Sequence, residues 1–144
     1  KAATMAGMAF SGAGLGLCHA LSHSLGGMFH VPHGRLNAIL LPLVVEFNAT
    51  AALGSYAALA RQAGLSTGPD AMALRALKSG LVRLRRSLDL PENLAKAGAK
   101  PADVRKKMDS LVAAALADPC CRTNPVRADE AAVRRIITEA LGHG

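Results

Sequence analysis

The stretch Gly16-Leu17-Cys18-His19-Ala20-Leu21-Ser22-His23-Ser24-Leu25-Gly26-Gly27 is followed closely by Val31-Pro32-His33-Gly34-Arg35-Leu36-Asn37-Ala38-Ile39-Leu40-Leu41-Pro42. Its apolar residues recur at helical spacing, and paired glycines followed by a proline mark a turn between two helices. No Lys, Arg, Asp or Glu occurs between residues 2 and 34, yet four imidazoles do, among them His19, His23 and His33. Titratable groups in otherwise apolar sequence cost free energy unless something satisfies them. A metal ion is the most economical partner.

His19 and His23 are four apart, so on a helix they share one face, one turn from each other. The helix is expected to end at Gly26-Gly27, and His33 falls where the next one starts. A hairpin of this kind can fold His33 back beside His19. Two imidazoles from adjacent helices make half of a first-row transition-metal site. A catalytic metal takes at least three protein ligands, often with a carboxylate among them. The first acidic residue, Glu46, lies too far along the second helix to help.

These residues resemble a known family. The pattern G-L-x-H-A-x-x-H-x-L-G, a short spacer, then P-H-G-x-x-N-A-x-L-L-P is similar to a signature of the iron-containing (group III) alcohol dehydrogenases. The resemblance continues more weakly through Leu90-Pro91-Glu92-Asn93-Leu94 and Asp118-Pro119, then Thr123-Asn124-Pro125-Val126-Arg127. It implies the C-terminal helical domain of a dehydroquinate synthase-like two-domain enzyme, closest in flavour to propanol and ethanol dehydrogenases. By that resemblance His19 and His33 hold Fe2+ or Zn2+. His23 stands beside the metal facing substrate and nicotinamide, and Phe10 sits at the mouth of the cleft. The family completes its site with an Asp and a His from an earlier helix and binds NAD(P) through an N-terminal domain.

Neither of those parts is found between residues 1 and 144. The glycines of Gly12-Ala13-Gly14-Leu15-Gly16 do not make G-x-G-x-x-G and follow no predicted strand. They are expected to let a helix approach its neighbours. Residues 1–144 are therefore expected to be a single metal-carrying domain, a C-terminal fragment that does not turn over alcohol by itself. The alternative reading is a non-catalytic helical module that self-associates; either way a homo-oligomer is expected.

Composition agrees with an all-α bundle of six to seven helices. Apolar residues make up 51% of the chain and aromatics only 3%, so Leu, Ala, Val and Ile must fill the core. Predicted helices cover residues 2–25 and 33–48, the second kinked at Pro42. A third carries Leu53, Tyr56, Ala57 and Ala60 and ends at Gly64. A fourth opens at Asp70 with the stripe Leu74, Leu77, Leu81, Leu84 and Leu88. A fifth starts at Pro101 and turns Val104, Met108, Leu111, Val112 and Ala115 inward. The last presents Val133, Ile136, Ile137 and Ala140.

Charge divides the chain. Of 17 basic and 10 acidic residues, only Lys1, Arg35 and Glu46 precede Arg61. That split predicts a buried N-terminal half wrapped by solvated helices. The net charge of +7 and the cluster Lys78, Arg83, Arg85 and Arg86 do not make a nucleic-acid site, because these residues interleave with leucines and aromatics for stacking are scarce. The uncharged segment up to Leu21 is too rich in Gly, Ser and His to span a membrane. Cys18 is read as a small core residue, and Cys120-Cys121 suits neither an easy disulfide nor a metal knuckle. Three cysteines without a framework predict a reducing, cytoplasmic setting. His30 and His143 are read as surface residues.

Overall fold

Leu17, Leu21 and Leu25 recur every four residues along one helix, and all three are fully buried. The computed structural model describes residues 1–142. Helix α1 spans Ala2–Ala13, α2 Leu17–Phe29, α3 His33–Gln62 and α4 Asp70–Ser87. Then come α5 over Pro101–Lys106, α6 over Met108–Ala117, a 3-10 turn over Pro119–Thr123, and α7 over Glu130–Leu141. Among the described residues there is no strand. The fold is all-α, as periodicity requires; His143 lies outside the described residues.

The main core forms where the leucine stripe of α2 meets α3, α6 and α7. Leu21, Leu36, Leu40, Leu111, Val133 and Ile137 are all buried within it. Removing each such side chain from water contributes about 1.5–3 kcal/mol. A smaller cluster joins the far half of α3 to α4 through Val45, Ala57, Ala60, Ala73 and Leu77. Its three alanines let the two backbones approach closely.

Several boundaries differ from expectation, each for a local reason. The predicted helix 2–25 is two helices, because Gly14 and Gly16 both stand at φ 79 with ψ near 180°. That combination belongs almost solely to glycine. A Cβ on Gly14 would lie 2.6 Å from Thr123 Oγ1, and one on Gly16 would lie 3.0 Å from Asn124 Oδ1. The glycines thus permit a close approach, to the 3-10 turn and the residue after it. Helix α2 also runs through Gly26-Gly27 to Phe29, and ends where His30 adopts a left-handed φ of 55°. Gly26 is a packing residue: a Cβ there would meet Leu36 Cδ1 at 3.4 Å.

The predicted second and third helices are one, α3, which passes Pro42 in helical geometry and bends at Ala52 (φ −125, ψ 19). By length and apolar composition α3 could cross a membrane, yet it is the central helix of this bundle. The helix opening at Pro101 breaks at Lys107, with φ −98 and ψ 9. On α4, Ala73 and Leu77 are buried, but Leu84 and Leu88 are 57% and 59% exposed. Helix α4 packs chiefly on α3, but Leu84 and Leu88 border an open groove with Ala38 and Leu41 of α3 instead of filling it. Nor is the whole N-terminal half buried. Helix α1 has no buried residue, and Met5, Met8 and Phe10 are 68%, 75% and 44% exposed. Absence of charge marked a surface that nothing in the described residues covers.

Candidate metal centre

His19 and His23 project from successive turns of α2, and His33 is the first residue of α3. The connection between them is only His30, Val31 and Pro32, so the hairpin returns His33 to the α2 face. His33 Nε2 stands 3.1 Å from His19 Nδ1. The His23 ring stacks on that of His33 at 5.2 Å and 21°. One ring nitrogen from each of the three lies within 4.8 Å of the others. Ligands held at about 2.0–2.1 Å around one cation lie about 3.0–3.4 Å apart. The His19–His33 pair has that spacing.

The donor chemistry fits a borderline-soft divalent ion. Partial burial lowers the His19 pKa, as do His33 and His23 nearby, while Asp118 opposes them. The direction favours the neutral imidazole, the form that ligates a metal. Asn37, one turn into α3, directs Nδ2 at His33 Nε2 at 2.8 Å. The Asn37 amide oxygen in turn accepts from the hydroxyl of buried Ser22 at 2.6 Å. With the amide so placed, His33 Nε2 carries no proton and accepts from Asn37; a metal ligated at that nitrogen would displace this bond. This three-imidazole group contains no carboxylate; Asp118 joins His23 only in a second grouping, with Cys120.

Asp118 follows α6 directly, and its Oδ2 lies 2.8 Å from His23 Nδ1 across 95 residues of sequence. Its other oxygen accepts from the Cys120 backbone N–H at 2.8 Å. Burial pushes the Asp118 carboxyl upward, but the hydrogen bonds from His23 and Cys120 outweigh it and hold the group below its usual value. The Phe10 ring lies 6.4 Å from that of His19. His23 and His33 open onto a cavity of about 390 Å³ that Gly26, Gly27 and His30 also line. His30 is exposed, as expected. Cys18 is buried, as read from the sequence, and burial pushes its thiol to about 12. It plays no part as a ligand.

The start of α2 is fastened separately. Asn124 Oδ1 accepts from the Leu17 backbone N–H at 3.0 Å and from Asn48 Nδ2 at 3.0 Å. Asn124 Nδ2 donates to Asn48 Oδ1 at 2.7 Å. This clasp ties α2, α3 and the segment after the 3-10 turn together two residues before His19. Sequence reasoning assigned no role to Asn37, Ser22, Asn48 or Asp118. Asn37 and Ser22 had a signal, since each lies four residues from a partner or its site; Asp118 stood in the weaker part of the resemblance without a role, and Asn48 had no local signal.

Fold and cluster together define a class: a helical domain with imidazoles converging between two consecutive helices. The model of the Fe-containing alcohol dehydrogenase family, C-terminal part, matches residues 1–141. The chain belongs to the iron-containing alcohol dehydrogenase family. It is 42% identical over 145 residues to the 1-propanol dehydrogenase PduQ of Salmonella typhimurium, covering 98% of this chain and 39% of that protein. It is 34% identical over 133 residues to an NADPH-dependent butanol dehydrogenase of Clostridium saccharobutylicum, covering 92% of this chain and 34% of that protein. Among solved structures, the iron-containing alcohol dehydrogenase of Thermococcus thioreducens superposes with a TM-score of 0.86 at 34% identity. That match covers 99% of this chain and 36% of the other. A 1,3-propanediol oxidoreductase gives a TM-score of 0.85 at 31% identity, over 94% of this chain and 35% of the other. The chain thus spans less than two fifths of these relatives.

Proposed function

We propose that this chain is the metal-carrying helical part of an NAD(P)-linked dehydrogenase that interconverts short primary alcohols and aldehydes. The observation that carries this reading is the 3.1 Å approach of His33 Nε2 to His19 Nδ1, within a chain of this family. In the reading, His19 and His33 hold Fe2+ or Zn2+, and further ligands come from a part of the enzyme outside these 144 residues. The metal supplies Lewis-acid polarisation of the alcohol or aldehyde oxygen.

The chain's own residues do the rest. His23 faces the substrate oxygen and accepts or returns its proton. Phe10, partly exposed beside His19, closes the apolar side of the cleft. The His-lined cavity is open, so exclusion of water falls to the nicotinamide-binding domain. Hydride transfer needs that cofactor, and the domain supplying it lies outside this chain, so residues 1–144 alone do not turn over alcohol. Three free thiols suit a reducing cytoplasm. The second reading, self-association, is favoured by one observation: α1 has no buried residue, and apolar surface of this kind seeks a partner.

Metal content and NAD(P)+-linked oxidation of 1-propanol test the proposal together. Stoichiometric Fe2+ or Zn2+, lost when His19 and His33 are both replaced by Ala, supports the assigned ligands. Turnover by the 144-residue chain alone would overturn its assignment as an incomplete enzyme. Light scattering tests the self-association.

A further inference from the structure

We propose that Asp118 is a positioning residue for His23: it holds the proton on Nδ1 and leaves Nε2 as the nitrogen that exchanges protons with the substrate. The inference deepens the reading of His23 as proton relay and rests on it for its consequence in turnover. Its structural content stands independently, on the two hydrogen bonds of one carboxylate.

The Cys120 backbone N–H can only donate, and Asp118 Oδ1 accepts from it at 2.8 Å. That bond fixes the rotation of the carboxylate and presents Oδ2 to His23 Nδ1 at 2.8 Å. A carboxylate offers acceptors only, so the imidazole nitrogen facing it carries the hydrogen. The Asp118 side chain is 16% exposed and that of His23 44% exposed, so the acceptor end is sheltered while the ring opens to the cavity. Stacking on His33 at 21° restrains the plane of the His23 ring. Carboxylate, backbone cap and stacked ring together leave one tautomer and one orientation.

The cap also supplies the test. In Asp118→Asn, Cys120 N–H still needs an acceptor, so the amide turns its oxygen there and its NH2 toward His23. His23 Nδ1 must then accept, and the hydrogen moves to Nε2. In Asp118→Ser the hydroxyl keeps the cap but is too short to reach the ring, so His23 is released without loss of the 3-10 turn. Long-range proton–nitrogen correlation on the 15N-labelled chain reads the tautomer directly. The expected result is hydrogen on Nδ1 in the parent chain, on Nε2 in Asp118→Asn, and a mixture in Asp118→Ser. An unchanged His23 pattern in folded Asp118→Asn, or hydrogen on Nε2 in the parent chain, would overturn the proposal.

In the complete enzyme, Asp118→Asn is expected to lower kcat by on the order of a hundredfold or more, with KM for the alcohol little changed. A wrong-tautomer defect of this kind is known from the serine-protease Asp→Asn variant. If the tautomers behave as stated but kcat is unaffected, the positioning stands and the relay role of His23 falls. If the tautomers do not respond, the positioning itself is wrong.

Discussion

His33 Nε2 lies 3.1 Å from His19 Nδ1 although 14 residues separate them. The approach is made by three connecting residues and by Gly26, whose missing side chain lets Leu36 pack at the turn. If the pair holds a metal, His19→Ala or His33→Ala should abolish stoichiometric Zn2+ or Co2+ binding by the chain. His23→Ala should retain it. Both replaced residues are at least partly exposed, so stability should change by less than about 0.5 kcal/mol. Calorimetric titration and thermal melts check both halves of the prediction.

Stability without added metal should fall as the solution is acidified through the histidine range. The His19 pKa is lowered by burial first, then by His33 and His23, against the opposing effect of Asp118. The unfolded chain, with His near 6.5, therefore binds the proton more readily than the folded one. The contribution is full above that value and is lost as pH drops through it toward the lower folded value. Urea midpoints between pH 7.5 and 5 should decline less in His19→Gln than in the parent chain.

Gly16→Ala should destabilise by about 1–3 kcal/mol, because φ 79 with ψ −170 is a backbone region kept for glycine. A Cβ there would also press on Asn124 Oδ1 at 3.0 Å. For a domain of this size each kcal/mol lowers Tm by about 2–4 °C. Calorimetry reads the fall directly.

Asn124→Ala should cost more than Asn48→Ala. It removes the acceptor for Leu17 N–H as well as both bonds to Asn48, and each buried group left unpaired costs about 1–3 kcal/mol. The double variant should lose less than the sum, since the two amides are each other's partners. A double-mutant cycle in urea measures the difference.

The sequence alone determined that this chain is helical, where most of its core faces lie, and which imidazoles share a helix face. These are consequences of short-range spacing: Leu17, Leu21 and Leu25 repeat with the helix period, and His19 and His23 stand one turn apart. The short turn before Pro32 suggested that His33 folds back beside His19, and the resemblance added Phe10 to the expected site and named the family. Helix continuity was read less well. Pro42 is tolerated inside α3 and the bend falls at Ala52, while Gly14 and Gly16 break a helix that the apolar pattern would continue.

Tertiary structure decided the rest, because it rests on contacts between residues far apart in the chain. Asp118 reaches His23 across 95 residues, and Asn48 meets Asn124 across 76; no local pattern encodes either. Charge was an ambiguous guide for the same reason. An uncharged segment can fill a core, as α2 does, or form an uncovered face, as α1 does, and only the packing of the other helices distinguishes the two.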